Sequence, residues 1–561
     1  MTTPKNELLF LALGGSNEIG MNVNLYGCQG KWVMVDLGLT FENSEYPGID
    51  LVLPDLEFIE KRKDDLLGIV LTHGHEDHIG AVAYFAADLG VPLYATPFTA
   101  TLIRGKLEEE GIADIVELNV IPMEGAFSLG PFDFKLVALA HSILEMSACL
   151  ITTPYGKIFH TGDWKLDPHP VLGTPSTQEA LTAIGDSKVL AMVCDSTNVF
   201  NPEKSGSEGS VKDDLLKSVK AAKGRVVVTT FASNAARLQT LSEVARESGR
   251  TLCFAGRSLH RIIEAAQANG YLKDMPKTVH MDSVDSLPRH DVMVVATGGQ
   301  GEARAALARI SEGNHPVKLE AGDTVIFSSK QIPGNEIAIG VIMNKLAERN
   351  ILTVTEKQAH VHVSGHPGQP ELAALYDWIR PEVLIPVHGE RRHMAEQARF
   401  ARAHGVPKAV VQSNGDVVRL APGEPKIVGK ERTGRLVLDG DTIIAADGAT
   451  LNERRRLSFY GLISVAFALD AKDGMLGNPE IRLHGVPIDE DLDDFLEEAT
   501  AAAVKAVKDH RGDYDKLRET VRLAVRRVAV SWTGKKPIVD VLIVETPGPG
   551  PRLLPFICYF G

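Results

Sequence analysis

The stretch GIVLTHGHEDHIGAVAYFAADL, Gly68 to Leu89, decides how the rest of the sequence is read. It opens with apolar, β-branched residues (Ile69, Val70, Leu71, Thr72), as a buried strand requires. From Ile79 onward it turns to small and apolar residues suited to a helix. Between the two lie His73, His75, Asp77 and His78, four metal-competent side chains within six residues. A strand-to-helix loop can turn all four to one side, and imidazole with carboxylate suits zinc or another borderline divalent ion. The loop offers more ligands than one tetrahedral centre accepts, so a pair of ions is expected. The plainer alternative is a polar loop with ordinary histidines.

Further strands carry the same vocabulary at their ends. WVMVD (Trp32–Asp36), KLVALAH (Lys135–His141), KIFHTGD (Lys157–Asp163) and VLAMVCD (Val189–Asp195) each end in, or run into, Asp or His. Polar groups stacked at one end of several strands predict one shared site at a sheet edge. From about Val211 the texture becomes helix–strand alternation around RVVVTT (Arg225–Thr230), TLCFA (Thr251–Ala255), DVMVVAT (Asp291–Thr297) and DTVIFSS (Asp323–Ser329), as in a doubly wound sheet. Ligand residues return in HVHVSGH (His360–His366) and VLIPVHGE (Val383–Glu390). The expected organisation is therefore a first domain over residues 1–205, an inserted α/β domain over 206–360 and a return segment over 361–425. A Gly-, Pro- and charge-rich linker or edge-strand region (426–452) and a small C-terminal α/β domain (453–561) follow. In the latter, helices are expected over 493–510 and 513–530, with Leu517, Val521, Ala524, Val525 and Val528 on one face, then the strand PIVDVLIVE.

Length and composition agree with several soluble domains: 561 residues exceed one ordinary core. Hydrophobic and charged contents of 44% and 24% are those of a globular chain. No apolar run approaches the roughly 20 residues of a membrane span. The start, MTTPKNELLFLALGG, reads as a first strand and not a secretory signal, so a cytoplasmic protein without membrane contact is expected. Cys28, Cys149, Cys194, Cys253 and Cys558 are scattered without a CxxC pair, which suits a reducing compartment and leaves metal binding to His and Asp. The net charge of −14 argues against coating nucleic acid by bulk electrostatics. It leaves a nuclease open, because bound divalent ions bring their own positive charge.

His73-Gly-His75-Glu-Asp77-His78 resembles the HxHxDH signature of the metallo-β-lactamase superfamily, whose fold is an αββα sandwich. The resemblance implies that His73, His75 and His141 hold one ion, that Asp77, His78 and His388 hold the other, and that Asp163 bridges them. It assigns Asp36 a supporting role in the loop. His160, three residues before Asp163, competes as a ligand; its alternation with Phe159 suggests packing instead. His169, His280, His290, His315, His393, His404 and His510 lie in surface-type contexts.

The large insertion resembles the β-CASP branch, the nucleic-acid hydrolases of that superfamily. Three motifs of the branch match Asp195, His366 and His388. Two ions stabilise charge on the transferring phosphoryl group, while the leaving oxygen needs a proton. His366 is expected to be that general acid, oriented by Asp195; the plainer readings are a turn residue before Pro367 and a capping carboxylate. Histidine at 388, where DNA-directed members carry valine, points to RNA.

TFASNAARL (Thr230–Leu238), TGGQGE (Thr297–Glu302), SSKQIPGNE (Ser328–Glu336) and HVSGH (His362–His366) narrow the resemblance to the ribonuclease J family. It implies a 5′→3′ exonuclease on single-stranded RNA that prefers 5′-monophosphate ends, with some endonucleolytic action, in rRNA maturation and mRNA decay. It also implies two Zn2+ (Mn2+ as alternative) and a homodimer or homotetramer. Phe231, Ala232, Ser233 and Asn234 form a strand-to-helix turn able to grip a phosphate. His362, Val363, Ser364, Gly365 and His366 would meet the substrate from the other side, glycine allowing close approach. A cap role for Ser233 and a strand-face role for His362 are the plainer alternatives. Asp50, Asp439 and Asp441 could hold a structural Ca2+, or be surface acidic turns. The competing functions are a purely endonucleolytic RNase, a DNA exonuclease, and an inactive scaffold, which would be expected to have lost ligands. The chain departs from the family at His141-Ser-Ile-Leu-Glu145-Met, where Pro-Asp is usual, and at Trp164, where Phe or Tyr is usual.

Overall fold

Val-, Ile- and Leu-rich strands that are buried on both faces need cover on both sides, and the computed structural model provides it in layers. Residues 6–41, 45–302, 304–330, 335–470, 474–508 and 513–546 are described. Residues 331–334 of SSKQIPGNE, together with the first five residues, His510 and Cys558, lie outside them.

The first part of the core contributes β1 (Leu8–Gly14), β2 (Val23–Cys28), β3 (Lys31–Val35), β4 (Leu66–Leu71), β5 (Leu93–Ala95), β6 (Leu118–Val120), β7 (Ala126–Leu129), β8 (Phe132–Ala138), β9 (Ser147–Thr153), β10 (Gly156–His160) and β11 (Val189–Asp195). The chain then builds a separate sheet from β12 (Val226–Thr229), β13 (Thr251–Ala255), β14 (Thr278–Val279), β15 (Val292–Ala296), β16 (Thr324–Phe327) and β17 (Leu352–Val354). It returns with β18 (Val383–Val387), β19 (Lys408–Ala409), β20 (Asp416–Ala421) and β21 (Lys426–Lys430). One core sheet has the order β21-β20-β1-β2-β3-β4-β5-β6 and the other β7-β8-β9-β10-β11-β18-β19.

Phe10, Tyr26, Val33 and Val35 of the first sheet interleave with Phe134, Ile151, Ile158 and Val193 of the second in one buried cluster. The opposite face of the first sheet packs Leu11, Leu25, Met34 and Ile69 against Val82, Phe85 and Ile103 from helices Val82–Leu89 and Pro97–Glu109. The opposite face of the second packs Phe159, Met192 and Leu384 against Leu181, Leu375 and Phe400 from three more helices. This is the αββα sandwich. Packing two sheets and two helical layers gives each strand an apolar environment on both sides, which is why alternation is weak in the sequence.

The inserted sheet, order β14-β13-β15-β12-β16-β17, is parallel throughout, with helices such as Ala235–Glu247 and Arg257–Ala268 between its strands. The chain forms two compact units, one of Met1–Phe41 and Leu51–Leu436, holding sandwich and insertion, and one of Glu42–Asp50 and Val437–Gly561.

The second unit has β22 (Leu462–Leu469), β23 (Met475–His484) and β24 (Ile538–Glu545) in the order β23-β22-β24, covered by helices Leu492–Lys508 and Tyr514–Thr533. Leu517, Val521, Val525 and Val528 are buried as expected, while Ala524 is half-buried. The region read as a linker or edge strands holds strands, β21 and two further short ones (Arg435–Asp439, Thr442–Ala445), and the start of a helix, Ala449–Tyr460. Those strands are largely exposed, so their composition resembles a loop.

His315 and His393, expected at the surface, are buried: His315 Nδ1 accepts the Val317 N–H at 3.1 Å, and His393 packs edge-on to Phe200. The proposed calcium cluster is not formed: among the described residues the three aspartates make no ligand group, and Asp439 is paired with Arg454 at 2.6 Å.

Candidate active site

The β4 strand delivers His73 to the sheet edge, and the short helix Glu76–Ile79 turns Asp77 and His78 back beneath it. The main chain at Gly38 passes so close to this loop that a Cβ there would lie 1.8 Å from the Asp77 carbonyl oxygen, so only glycine fits. Asp36 fixes the loop from behind. Its carboxylate accepts the Thr72 N–H at 2.8 Å, the Thr72 hydroxyl at 2.9 Å and His78 Nδ1 at 2.7 Å. Glu76, the remaining carboxylate of the motif, is turned away to Lys106 at 2.7 Å.

Six strand ends then converge. His73 Nε2 and His141 Nε2 lie 3.1 and 3.2 Å from His75 Nδ1, and 3.9 and 3.8 Å from Asp163 Oδ2. On the other side of Asp163, His78 Nε2 and His388 Nε2 are each 3.3 Å from the same oxygen and each 3.7 Å from Asp77 Oδ2. Ligand atoms held 2.0–2.1 Å from one tetrahedral ion stand roughly 3.3–3.4 Å apart, so the spacing fits two coordination spheres sharing Asp163. Asp163 Oδ1 is buried without a hydrogen-bond partner, which a bridging carboxylate explains.

The second nitrogen of each imidazole is also held. His73 Nδ1 meets Thr72 Oγ1 at 3.0 Å, His78 Nδ1 meets Asp36, His141 Nδ1 donates to the Gly365 carbonyl at 2.7 Å, and His388 Nδ1 lies 2.8 and 3.1 Å from the two ends of the Asn22 amide and 3.3 Å from the Gly20 N–H. Such partners fix ring orientation and tautomer. His75 is the exception in origin: its Nε2 lies 3.0 Å from Ser233 Oγ, a residue of the insertion. Burial first, then mutual repulsion among the rings, pushes His73, His75 and His141 down, His141 to about 3, leaving neutral imidazoles with lone pairs to give. Burial also opposes charge on His388, but Asp163 overrides it and lifts that ring to about 9. His388 has a left-handed backbone (φ 53°), its N–H donating to the Gly15 carbonyl at 2.6 Å; this is strain held by its surroundings at a functional position.

His366 Nδ1 lies 2.7 Å from Asp195 Oδ2, and its ring stacks beside His388 and edge-on to His141. Burial disfavours the charged ring, yet the buried Asp195 carboxylate raises it above its ordinary range. Asp195 is itself fixed, Oδ1 by the Thr197 N–H at 2.8 Å. Asp163, Asp195, His366 and His388 form a third group of close ligand-type atoms; the His366–Asp195 bond engages Nδ1 and leaves the other ring nitrogen of His366 uncommitted.

In the FASN turn the N-cap is Asn234, whose Oδ1 accepts the Arg237 N–H at 2.9 Å; this leaves the Ser233 side chain free for His75. Ser364 Oγ accepts the His366 N–H at 3.1 Å. Gly365 presses on His141, and a Cβ there would lie 3.0 Å from the ring. His362 is half-buried with its Nδ1 enclosed and without a partner, and desolvation followed by Arg237, Lys330 and Lys165 keeps it neutral. Val363 is the residue whose side chain cannot meet a ligand: it is buried in the apolar core against Gly206, leaving only its main chain. Phe231 and Ala232 are half-buried in the same turn. His160 is packed, hydrogen-bonded to Tyr26 at 2.8 Å and pushed by burial to about 4. Sequence reasoning missed Asn22 and Thr72, whose residue types carry no ligand signal. Glu145, the family departure, accepts the Phe98 N–H at 2.7 Å and the Tyr271 hydroxyl at 3.0 Å, joining core and insertion.

Four family profiles match along the chain. They are the metallo-beta-lactamase superfamily over residues 21–211, the ribonuclease J beta-CASP domain over 223–346, the Zn-dependent metallo-hydrolase RNA specificity domain over 353–411 and the ribonuclease J C-terminal domain over 449–546. Ribonuclease J of Sinorhizobium meliloti is 40% identical over 549 residues, covering 96% of this chain and 97% of its own. Ribonuclease J of Corynebacterium glutamicum is 37% identical (97% of this chain, 77% of that protein), and ribonuclease J 1 of Streptococcus pyogenes 35% (97% and 98%). A crystal structure of a protein of unknown function from Enterococcus faecalis V583 shares the fold, with a TM-score of 0.53 at 18% identity over 74% of this chain and all of that one. With the ligand clusters, the RNA-specificity segment and the C-terminal domain all in place, the chain belongs to the ribonuclease J family of metallo-β-lactamase-type ribonucleases.

Proposed function

We propose that this chain is a 5′→3′ exoribonuclease with accompanying endonucleolytic capacity, selective for 5′-monophosphate ends, acting in rRNA maturation and mRNA turnover. The observation that carries the hydrolytic reading is Asp163, shared by two His/Asp clusters with the His366–Asp195 pair beside it. Three imidazoles with a carboxylate on one side, and two imidazoles with two carboxylates on the other, suit a pair of zinc ions, with manganese as the alternative. Bound there, such ions supply Lewis acidity at the scissile phosphate and stabilise charge on the attacking and leaving oxygens.

The chain's own residues supply the rest. His366 donates Nδ1–H to Asp195, so its other nitrogen can carry the proton that the leaving 3′-oxygen needs, and the carboxylate keeps the ring charged until transfer. With His75 Nδ1 turned to the ligand cluster, its proton sits on Nε2 and is donated to Ser233 Oγ. The Ser233 O–H is then free to donate to a phosphate oxygen. His362, Ser364 and Gly365 form the facing wall. A pocket with so few donors suits a terminal monophosphate; a triphosphate adds charge that stays unpaired, which is costly.

No helix among the described residues is long and apolar enough to cross a membrane. Action in the cytoplasm and self-association as a dimer or tetramer complete the proposal. The test is one end-labelled RNA carrying 5′-monophosphate, triphosphate or hydroxyl ends, beside matching DNA, with products resolved by size. Mononucleotides released fastest from monophosphorylated RNA are expected. Equal rates for the mono- and triphosphorylated ends, or internal fragments alone, would leave a purely endonucleolytic enzyme, and degradation of DNA a DNA exonuclease.

A further inference from the structure

The helix Tyr514–Thr533 has two faces. Leu517, Val521, Val525 and Val528 pack into the core of the C-terminal unit. A second stripe, Leu523, Arg526, Arg527 and Val530, recurs at i, i+3, i+4 and i+7 and so lies on one line along the helix. With Lys536 it lines a groove of about 320 Å³. Arg518 and Arg522, one turn earlier, are neutralised by Asp515 and Glu519 at 2.9 and 2.6 Å. Arg526, Arg527 and Lys536 make no salt bridge or hydrogen bond among the described residues, although Arg526 helps Arg522 to hold the Glu519 carboxyl low. In a chain of net charge −14, three neighbouring cations with no direct carboxylate pair among the described residues need an explanation.

A second observation lies beside them. Lys535, the neighbour of Lys536, donates to the Phe459 carbonyl at 3.2 Å and holds its ammonium 5.2 Å from the centre of the Phe459 ring. That ring is 64% exposed at the end of the helix Ala449–Tyr460, braced edge-on by Tyr460. A large aromatic side chain is normally buried; this one is held at the surface by Lys535, one residue along the chain from the groove-lining Lys536. Unpaired cations with an apolar floor track a phosphate backbone, and an exposed ring offers a base somewhere to stack.

We infer that Arg526, Arg527, Lys536 and Phe459 form a binding site for single-stranded RNA on the C-terminal unit, additional to the metal centre. The inference takes RNA as the substrate class but requires neither the exonuclease reading nor a 5′-end preference. The groove reads no base edges, so it accepts any sequence.

The test uses the full chain and a phosphorothioate-linked 30-nucleotide RNA, followed by fluorescence anisotropy over a salt series. Each phosphate contact on a single strand contributes about 0.7 to the slope of log affinity against log salt, or roughly 5-fold in affinity at 0.1 M salt. Arg526→Gln with Arg527→Gln should therefore weaken binding by about 5-fold per arginine and flatten the slope. Arg526→Lys with Arg527→Lys should keep most of both. Phe459→Ala should weaken binding by about 5-fold or more while leaving the slope intact, because stacking releases no counterions. Turnover of bis(p-nitrophenyl) phosphate at the metal centre should not change in any of them, which separates failure of this site from failure of the catalytic reading. Unchanged affinity and slope in the glutamine variant overturns the inference. Loss of self-association in sedimentation velocity with RNA affinity intact overturns it too, and assigns the groove to a second copy of the chain.

Discussion

Ser233→Ala removes one hydroxyl from a turn of the insertion, and the proposed function gives that hydroxyl two jobs in series. Its oxygen receives His75 Nε2–H at 3.0 Å, and its own hydrogen is left to reach a phosphate. A neutral hydrogen bond of this kind contributes about 0.5–1.5 kcal/mol, so the ion at His73, His75 and His141 should be held roughly 2- to 13-fold less tightly. Loss of an outer partner of a ligand reaches 10- to 100-fold at the upper end. Donation to a charged phosphate is stronger, about 1.5–3 kcal/mol, so kcat/KM on monophosphorylated RNA should fall roughly 10- to 150-fold, with little change on 5′-hydroxyl RNA beyond the metal effect. Metal retention is read by competition against a coloured chelator, and end preference by the ratio of kcat/KM for the two RNAs. Weaker retention with the end preference intact would confine Ser233 to steadying His75. Both quantities unchanged would refute the serial arrangement altogether.

Four further outcomes follow from the same geometry. Asp163→Ala should abolish hydrolysis and lower the metal content at both clusters together, with circular dichroism unchanged; loss of one equivalent only would show that the carboxylate does not bridge. His366→Ala should slow RNA cleavage about 10²- to 10⁴-fold but barely affect bis(p-nitrophenyl) phosphate, whose leaving group needs no proton; equal losses on both would remove His366 from the general-acid role. Asp167 is buried, and although burial raises its carboxyl, the Glu208 N–H at 2.8 Å, the Ser207 hydroxyl at 2.6 Å and Lys165 bring it below the ordinary value. A depressed folded-state pKa adds stability above the unfolded value of about 4 that is lost as pH falls through the folded value; Asp167→Asn should therefore be less stable than the parent at pH 7, the gap in urea unfolding narrowing toward pH 3.5, and a constant gap would count against the charge. Removal of residues 437–561 should give a monomer in sedimentation velocity, and a truncated chain still sedimenting as the intact assembly would place self-association elsewhere.

What was legible in the sequence was what chemistry restricts to few residue types. His73, His75, Asp77, His78, His141, Asp163 and His388 could be found because imidazole and carboxylate at strand ends have few other reasons to gather, and they do gather. The parallel sheet of the insertion was readable because its strands are short apolar runs between helices. The region 426–452 could be read only as linker or edge strands, because its strands are mostly exposed or half-exposed and carry the Gly, Pro and charge of a loop. Two histidines were misplaced because a short polar context says nothing of burial. Asn22, Thr72 and the Ser233–His75 contact were invisible for a different reason: hydroxyl and amide partners of a ligand are chosen by distance in space, 158 residues apart along the chain in the last case. Val363 shows a different limit: its side chain packs in the core, so any part it has in holding substrate falls to its main chain, which sequence pattern does not distinguish.

The position of the insertion explains why catalysis survives so large an interruption. The chain leaves the sandwich just after β11 and returns just before β18, and these two strands are parallel neighbours with Asp195 opposite Val387. Departure and return are therefore adjacent at the sheet edge where the ligands collect. The buried Glu371 ties them together: its carboxylate accepts the Ser205 N–H at 2.8 Å and hydroxyl at 2.6 Å from the outgoing segment and the Gly368 N–H at 2.8 Å from the returning one. A further N–H, from Ser364, reaches back to the Ser205 carbonyl at 3.2 Å. This closed junction makes the local geometry independent of what the intervening residues do. It also holds His366, from the returning segment, against Asp195, from the strand before the departure, although 171 residues separate them in sequence. The His366–Asp195 pair is thus part of the seam itself, while among the described residues the insertion adds Ser233 to the ligand surroundings. If His366 is the acid proposed above, an insertion attached this way should tolerate changes far from Ser233 without disturbing the His366–Asp195 bond.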